Sequence, residues 1–137
     1  MVEYLTFNNR FEILNWRSCC RDMGLKYSFE FVNESQASLK RIWNGIGADG
    51  HFYNWLIPNT VYGLDISASS LPHDHDYYIG GNDETRSIAD SRMLDNMYTL
   101  IENNSVWFLK GLRRARAYKY YMAVRFLGAV AFSYKSK

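Results

Sequence analysis

The chain has 137 residues, the size of one domain, and its 47% hydrophobic, 17% aromatic and 22% charged residues can build a core without staples. Its two cysteines, Cys19 and Cys20, are adjacent, which excludes a disulfide-stapled fold and a cysteine-ligated zinc site. No segment has the pattern of a signal peptide or the ~20 apolar residues of a transmembrane helix. Together with the lack of a possible disulfide, this leads us to expect a reducing compartment or a virion and not a small secreted domain.

The charge is distributed unevenly along the chain. The net charge is +2, but the segment from Asn103 to the end has eight Lys and Arg residues and no acid, which leaves the rest at −6. This asymmetry predicts an anionic partner or an acidic subunit surface, with a solvated helix face as the alternative. Interleaved Tyr118, Tyr120 and Tyr121 would suit stacking on nucleic acid. Aromatic residues at helical spacing more often form core or subunit contacts, so we do not expect nucleic acid as the partner.

The first forty residues predict two helices and a short strand. Residues 10–23 (RFEILNWRSCCRDM) have apolar positions near helical spacing, and Gly24 is a plausible end. Residues 27–32 (YSFEFV) favour a short strand. Asn33 is a predicted N-cap for a short helix that ends at Trp43.

The middle of the chain combines a loop with a second helical region. Residues 44–50 (NGIGADG) contain three glycines and predict a loop with backbone conformations closed to other residues. Residues 51–70 are predicted to be irregular. Pro72 suits the first turn of a helix that should end near residues 80–81, which are both glycine. Asn82 then begins a turn and a helix cap.

Two further helices complete a mainly α fold, a single domain over residues 1–137 with at most a small β element. Residues 85–101 predict the clearest amphipathic helix, whose apolar side comprises Ile88, Met93, Leu94, Met97, Leu100 and Ile101. Ser105 is the predicted cap of a basic C-terminal helix within residues 104–137. That helix carries Trp107, Phe108, Leu112, Ala115, Tyr118, Met122 and Phe126.

The run HDHDYY at residues 73–78 is the strongest chemical signal. On a helix, His73 and Tyr77 share a face, while Asp74 points to another side of the same cavity. Histidine can act as a general base near neutral pH, and a carboxylate can bind a hard cation through oxygen. Asp90 lies on the next helix, where an inward carboxylate could orient the histidine. Alternatively, Asp90 is a charge at the helix boundary or the partner of an arginine in the C-terminal segment.

These motifs resemble the phospholipase A2 superfamily, in its cysteine-poor viral and phage branch. The resemblance covers residues 44–101. It rests on the glycine-rich segment 45–50, then His73-Asp74-x-x-Tyr77, then Asp90 on the predicted antiparallel helix. Mainly α architecture with an antiparallel pair of helices carrying these motifs is therefore expected.

The resemblance implies a calcium-dependent hydrolase that cleaves the sn-2 ester of phospholipids in a membrane. His73 would activate water, with Asp90 and Tyr77 orienting it. Asp74 would ligate Ca²⁺, together with backbone carbonyls of Gly45, Gly47 and Gly50. The basic aromatic C-terminal segment would contact other virion subunits.

Other interpretations of the same residues remain open. His75 and Asp76 are expected to face solvent, and a metal site from His73 and His75 is disfavoured because residues i and i+2 point apart on a helix. A nucleotide hydrolase with a His-Asp metal pair would need an upstream histidine, and only His51 is present. Asp49 could bind metal or cap a turn. A protein of another class, a tail, neck or capsid-associated subunit without enzymatic activity, would keep the fold without the chemistry.

Overall fold

The structure, a computed structural model, describes residues 4–6, 8–10, 12–43 and 60–135. In these residues the fold is mainly helical with one small hairpin, as predicted. The elements in chain order are helices α1 (Trp16–Asp22), α2 (Phe29–Asn33) and α3 (Gln36–Trp43), strands β1 (Thr60–Val61) and β2 (Leu64–Asp65), and helices α4 (Ser70–Ile79), α5 (Asp83–Asn104) and α6 (Trp107–Leu127).

Two predictions for the N-terminal third are wrong. The segment predicted as a strand forms α2, because the Ser28 side chain accepts a hydrogen bond from the amide of Phe31 and so caps a helical turn. The cap of α3 is Ser35 and not Asn33, since the Ser35 Oγ accepts from the amide of Ser38. The predicted helix over residues 10–23 is present but shorter, and it begins after Asn15, whose side chain accepts from the amide of Ser18.

The hairpin fixes the position of the C-terminal helix. Strands β1 and β2 pair antiparallel around Tyr62 and Gly63, which both have positive φ, as a tight two-residue hairpin turn requires. The buried Arg113 of α6 donates to the Tyr62 carbonyl at 2.9 Å, and the Tyr120 hydroxyl donates to the Thr60 carbonyl at 3.2 Å. These bonds anchor one face of α6 on the hairpin.

Helix α5 follows α4 after a short connection, and α6 runs antiparallel to α5. Gly80 ends α4 with φ of +74°, and Asn82 caps α5 in a reciprocal box with Thr85, so the connection is short, as predicted. The Lys110–Glu102 and Arg125–Asp90 contacts, at opposite ends of the pair, show that α6 runs back along α5. The core lies between these helices and the N-terminal ones.

The predicted apolar side of α5 is largely confirmed, and α6 buries the face opposite to most of its large apolar side chains. In α5, Ile88 is exposed, although Met93, Met97, Leu100 and Ile101 are buried. In α6, Ser105 is not the cap: Val106 occupies that position, and the Ser105 Oγ accepts from Arg113. The buried face of α6 comprises Arg113, Ala117, Tyr120 and Val124. Of the apolar residues named from the sequence, Met122 is half-buried and the other six are exposed.

The segment after α6 packs against the C-terminal end of α4. Its backbone pairs with Gly81 through bonds to Ser133 and Lys135, and Phe132 packs edge-on against the ring of Tyr77 at 5.0 Å. In the part of the chain that is described, no helix has the length and apolar character needed to cross a membrane.

Candidate functional site

The structure brings His73 and Asp90 into direct contact across the α4–α5 interface. Nε2 of His73 lies 2.8 Å from Oδ1 of Asp90, and both side chains are buried. The short connection after Gly80 sets this register, since it places Asp90, the eighth residue of α5, opposite His73, the fourth residue of α4. The sequence hypothesis that a carboxylate of α5 orients the histidine is therefore geometrically satisfied.

Tyr77 joins the same carboxylate oxygen. Its hydroxyl donates to Oδ1 of Asp90 at 2.6 Å, and its ring centroid lies 4.2 Å from that of His73. One turn of helix separates the two residues, which is why they share a face. Tyr77 is held from behind by Phe132, so the C-terminal segment helps to fix the histidine.

Two arginines, which sequence reasoning did not assign to the site, hold the other oxygen of Asp90. Nη1 of Arg125 donates to Oδ2 at 2.6 Å, and Nη1 of Arg86 lies 3.6 Å from the same atom. Arg86 is one turn before Asp90 on α5, a spacing visible in the sequence. Arg125 comes from α6, where only the basic charge of the segment suggested a partner for Asp90.

These contacts determine the charge of Asp90. Burial raises the pKa of the carboxyl, but the hydrogen bonds from His73, Tyr77 and Arg125 outweigh burial and hold the pKa below its usual value. An ionised carboxylate can only accept hydrogen bonds, so Nε2 of His73 carries a proton and donates it. The lone pair of the imidazole is then on Nδ1, for which the described residues supply no hydrogen-bond partner.

Asp74 is next to this cluster and differs from Asp90 in having no cation. Its Oδ2 is buried and has no hydrogen-bond partner in the described residues, and burial raises its pKa well above the usual value. A buried carboxylate oxygen without a partner costs free energy unless a proton or a cation compensates it. Either a proton or a cation would compensate Oδ2 of Asp74, and its role as a Ca²⁺ ligand stays a prediction.

The remaining metal ligands cannot be placed. Gly45, Gly47 and Gly50, the predicted carbonyl donors, lie outside the described residues, as do Asp49 and His51. Within the described ranges no group of three or more His, Cys, Asp or Glu side chains could hold a metal ion. The described side chains therefore do not form a metal site by themselves, and the predicted calcium site stays a prediction.

The prediction that His75 and Asp76 face solvent is wrong. His75 is fully buried, edge-on to the ring of Phe31 at 5.5 Å, and its Nε2 lies 3.6 Å from Oε1 of Glu34. Both oxygens of Asp76 accept from Nη1 of Arg92 at 2.7 Å. The prediction considered only the packing of α4 against α5. In the structure α2 and α3 also pack against α4 and cover its other sides.

The assembled site pairs the imidazole of His73 with a carboxylate that is fixed by its neighbours. His73 can take a proton at Nδ1 while Asp90 stabilises the resulting imidazolium, a pattern found in many hydrolases. No protein-family model, curated protein or solved structure matches the chain. The chemistry of the site consequently has to be argued from its own geometry.

Proposed function

We propose that the protein is a calcium-dependent hydrolase of phospholipase A2 type, which cleaves the sn-2 ester of phospholipids on behalf of a phage or virus. One observation carries the proposal: His73 and Tyr77 share one buried oxygen of Asp90, with distances of 2.8 and 2.6 Å. This arrangement leaves Nδ1 as the basic nitrogen. Asp74, whose buried Oδ2 has no hydrogen-bond partner among the described residues, is adjacent to His73 in sequence.

In the proposed reaction, Nδ1 of His73 takes a proton from water while the water oxygen forms a bond to the ester carbonyl carbon. Asp90 remains ionised and stabilises the imidazolium by charge. When the tetrahedral intermediate collapses, the bond from the carbonyl carbon to the glycerol oxygen breaks. The imidazolium then returns its proton to the leaving alkoxide, which gives a free fatty acid and a lysophospholipid.

Asp74 would hold the calcium ion, and the carbonyls of Gly45, Gly47 and Gly50 would complete its shell. A bound Ca²⁺ would supply positive charge to the ester oxygen as negative charge develops there. The buried Oδ2 of Asp74 supports this role, because a cation would relieve the cost of an ionised carboxylate at that position.

The experiment is hydrolysis of phospholipid vesicles whose sn-1 and sn-2 chains differ in mass, with Ca²⁺ or EGTA. The wild type is expected to release the sn-2 acid only with Ca²⁺. His73→Gln is expected to lower the rate by a factor on the order of 100 or more. The matched control is Asp95→Asn, an exposed carboxylate on α5 outside the site, which should keep full activity. No calcium-dependent release from any lipid mixture by the folded wild type would reject the proposal.

A second candidate, a virion structural subunit that lacks activity, is favoured by a different observation. The side of α6 opposite to Arg113 and Tyr120 exposes large apolar side chains such as Trp107 and Phe126, which would suit contact with neighbouring subunits. It predicts no hydrolysis, and also that His73→Gln leaves particle assembly unchanged. Release of the sn-2 acid by the purified chain would decide for the enzyme.

A further inference from the structure

Helix α6 has an apolar face that the rest of the described chain does not cover. Its buried side is set by Arg113 and Tyr120, which bond to the β1–β2 hairpin. The opposite side, which we call the outer face, runs the length of the helix with a small-residue centre at Gly111 and Ala115. Its large side chains are Trp107, Phe108, Leu112, Tyr118 and Phe126.

The apolar area of the outer face is as large as the largest apolar patches found on monomeric proteins. Trp107 is 84% exposed and Phe126 is 77% exposed. With aromatic side chains of 150–250 Å² each, the five large residues leave on the order of 600 Å² exposed. The largest apolar patch on a monomer is ~300–600 Å² and is often functional, so the outer face is at the upper end of that range.

The charge on α6 indicates what covers the face. The helix contains six Lys and Arg residues and no acid. Arg114 and Lys119 are exposed and, by helical geometry, lie along opposite edges of the outer face. Lys110 and Arg114 contact Glu102 at 2.8 and 3.8 Å, which neutralises part of one edge only.

A helix that presents aromatic and aliphatic side chains between basic edges has the composition of a helix lying in a membrane interface. We propose that the outer face of α6 docks the protein on an anionic phospholipid surface. Trp107, Phe108 and Phe126 enter the headgroup region, and the basic edges meet lipid phosphates. The inference rests on the proposed function for the presence of a membrane, although the docking itself needs neither calcium nor hydrolysis.

The position of the active site supports a lipid partner. Arg125 holds Asp90, and the next residue, Phe126, is on the outer face. One helix thus joins the apolar face to the carboxylate that orients His73. A substrate drawn from a bilayer would be presented next to the helix that supports the base.

A second copy of the chain fits the same face less well. In a symmetric pair each outer face would meet an identical one, because a two-fold interface uses the same patch on both subunits. Basic edges would then oppose basic edges, with no acid on α6 to compensate. Like charges placed together oppose association, whereas anionic lipid compensates all of them.

The experiment is flotation of the His73→Gln protein with phosphatidylcholine vesicles, with and without phosphatidylglycerol, in EGTA. Hydrolysis is absent under these conditions, so binding is measured apart from the proposed activity. Two double variants test the face, Trp107→Ala/Phe108→Ala for its apolar part and Arg114→Gln/Lys119→Gln for its edges. The matched control is Leu14→Ala/Phe29→Ala, which truncates two equally exposed apolar side chains elsewhere.

Docking predicts binding to vesicles containing phosphatidylglycerol, weakened by salt. Removal of Trp107 and Phe108 should weaken it at least ~10-fold, since each buried aromatic side chain contributes that much or more. The control should bind like the parent protein. No binding to anionic vesicles, or equal binding by every variant, overturns the inference. Oligomers in solution that are lost on Trp107→Ala/Phe108→Ala would assign the face to a second copy instead, and also overturn it.

Retained docking together with no lipid hydrolysis by the wild type would reject the proposed function and leave the docking surface. Hydrolysis that is equally fast in the wild type and the Trp107→Ala/Phe108→Ala protein would have the opposite meaning. It would keep the activity and reject α6 as the lipid-binding element. The two proposals can therefore fail separately.

Discussion

Asp90→Asn tests whether the buried carboxylate is held by charge or only by packing. Asparagine is nearly the same size, and its amide oxygen can still accept from His73 or Tyr77. Its amide nitrogen would then face Arg125, which also donates hydrogen bonds, so the 2.6 Å contact is lost. Arg86, 3.6 Å from the same oxygen, loses its partner charge as well.

The expected cost follows from this geometry. Removal of one partner of a buried ion pair destabilises proteins by about 3–5 kcal/mol. Because the side chain of Arg125 is 27% exposed and can reach water, we expect the lower end, about 3 kcal/mol. For a chain of this size that corresponds to a fall in Tm of roughly 10 °C.

The measurement is urea and thermal unfolding at pH 7, followed by circular dichroism. Asp95→Asn is the matched control, because its surface ion pair with Lys26 should contribute no more than about 1 kcal/mol. Adding Arg125→Met to Asp90→Asn removes the orphaned cation and should restore part of the loss. Equal destabilisation by Asp90→Asn and Asp95→Asn would refute the argument that Asp90 is held by charge.

The remaining predictions concern single side chains of the site and the glycine that ends α4. As pH falls below ~3.9, the unfolding free energies of the wild type and Asp90→Asn should converge. A carboxyl whose pKa is depressed on folding contributes its full stabilisation above the unfolded value, and this contribution is lost as pH falls through the lower folded pKa. Tyr77→Phe should cost about 1–2 kcal/mol in denaturant unfolding, since it removes one buried hydrogen bond; no loss would mean that the bond to Asp90 is not formed. Asp74→Asn should stabilise the calcium-free protein at pH 7, because a carboxyl whose pKa is raised on folding makes the fold less stable as pH rises above its unfolded value of ~3.9; the variant should also lose any rise in Tm caused by Ca²⁺. Gly80→Ala should lower Tm far more than Gly63→Ala. Both glycines have positive φ, but only at Gly80 would a Cβ meet a backbone oxygen, that of Ser133, and similar losses would contradict the described end of α4.

Local patterns were sufficient for the helices that carry the site. Asn82 was predicted as a cap and forms one, and the two glycines at 80–81 end α4 as expected. These features depend on hydrogen bonds between residues a few positions apart, so a short stretch of sequence includes every group that forms them. The same is true of the shared face of His73 and Tyr77, since helical geometry alone fixes it.

The predictions for His75 and for residues 27–32 were wrong. His75 was expected in solvent, but Phe31 and Glu34 cover it, and nothing near residue 75 in the sequence signals that packing. The strand predicted over residues 27–32 is a helix, because a serine cap and packing outweigh the weak preference of a six-residue segment.

Helical spacing along the chain is enough to indicate which groups could do chemistry: His73 with Tyr77 on one helix face, Asp74 beside them, and Asp90 on the next helix. The hydrogen bond from Arg125 that helps to keep Asp90 ionised joins residues 35 positions apart, so it exists only in the folded chain. Folding also leaves the large apolar side chains of α6 facing outward. Periodicity shows that a helix has two faces, but not which of them is buried. In α6 the buried face is the one with Arg113 and Tyr120, because their polar atoms form hydrogen bonds with the hairpin, and the aromatic face is therefore at the surface.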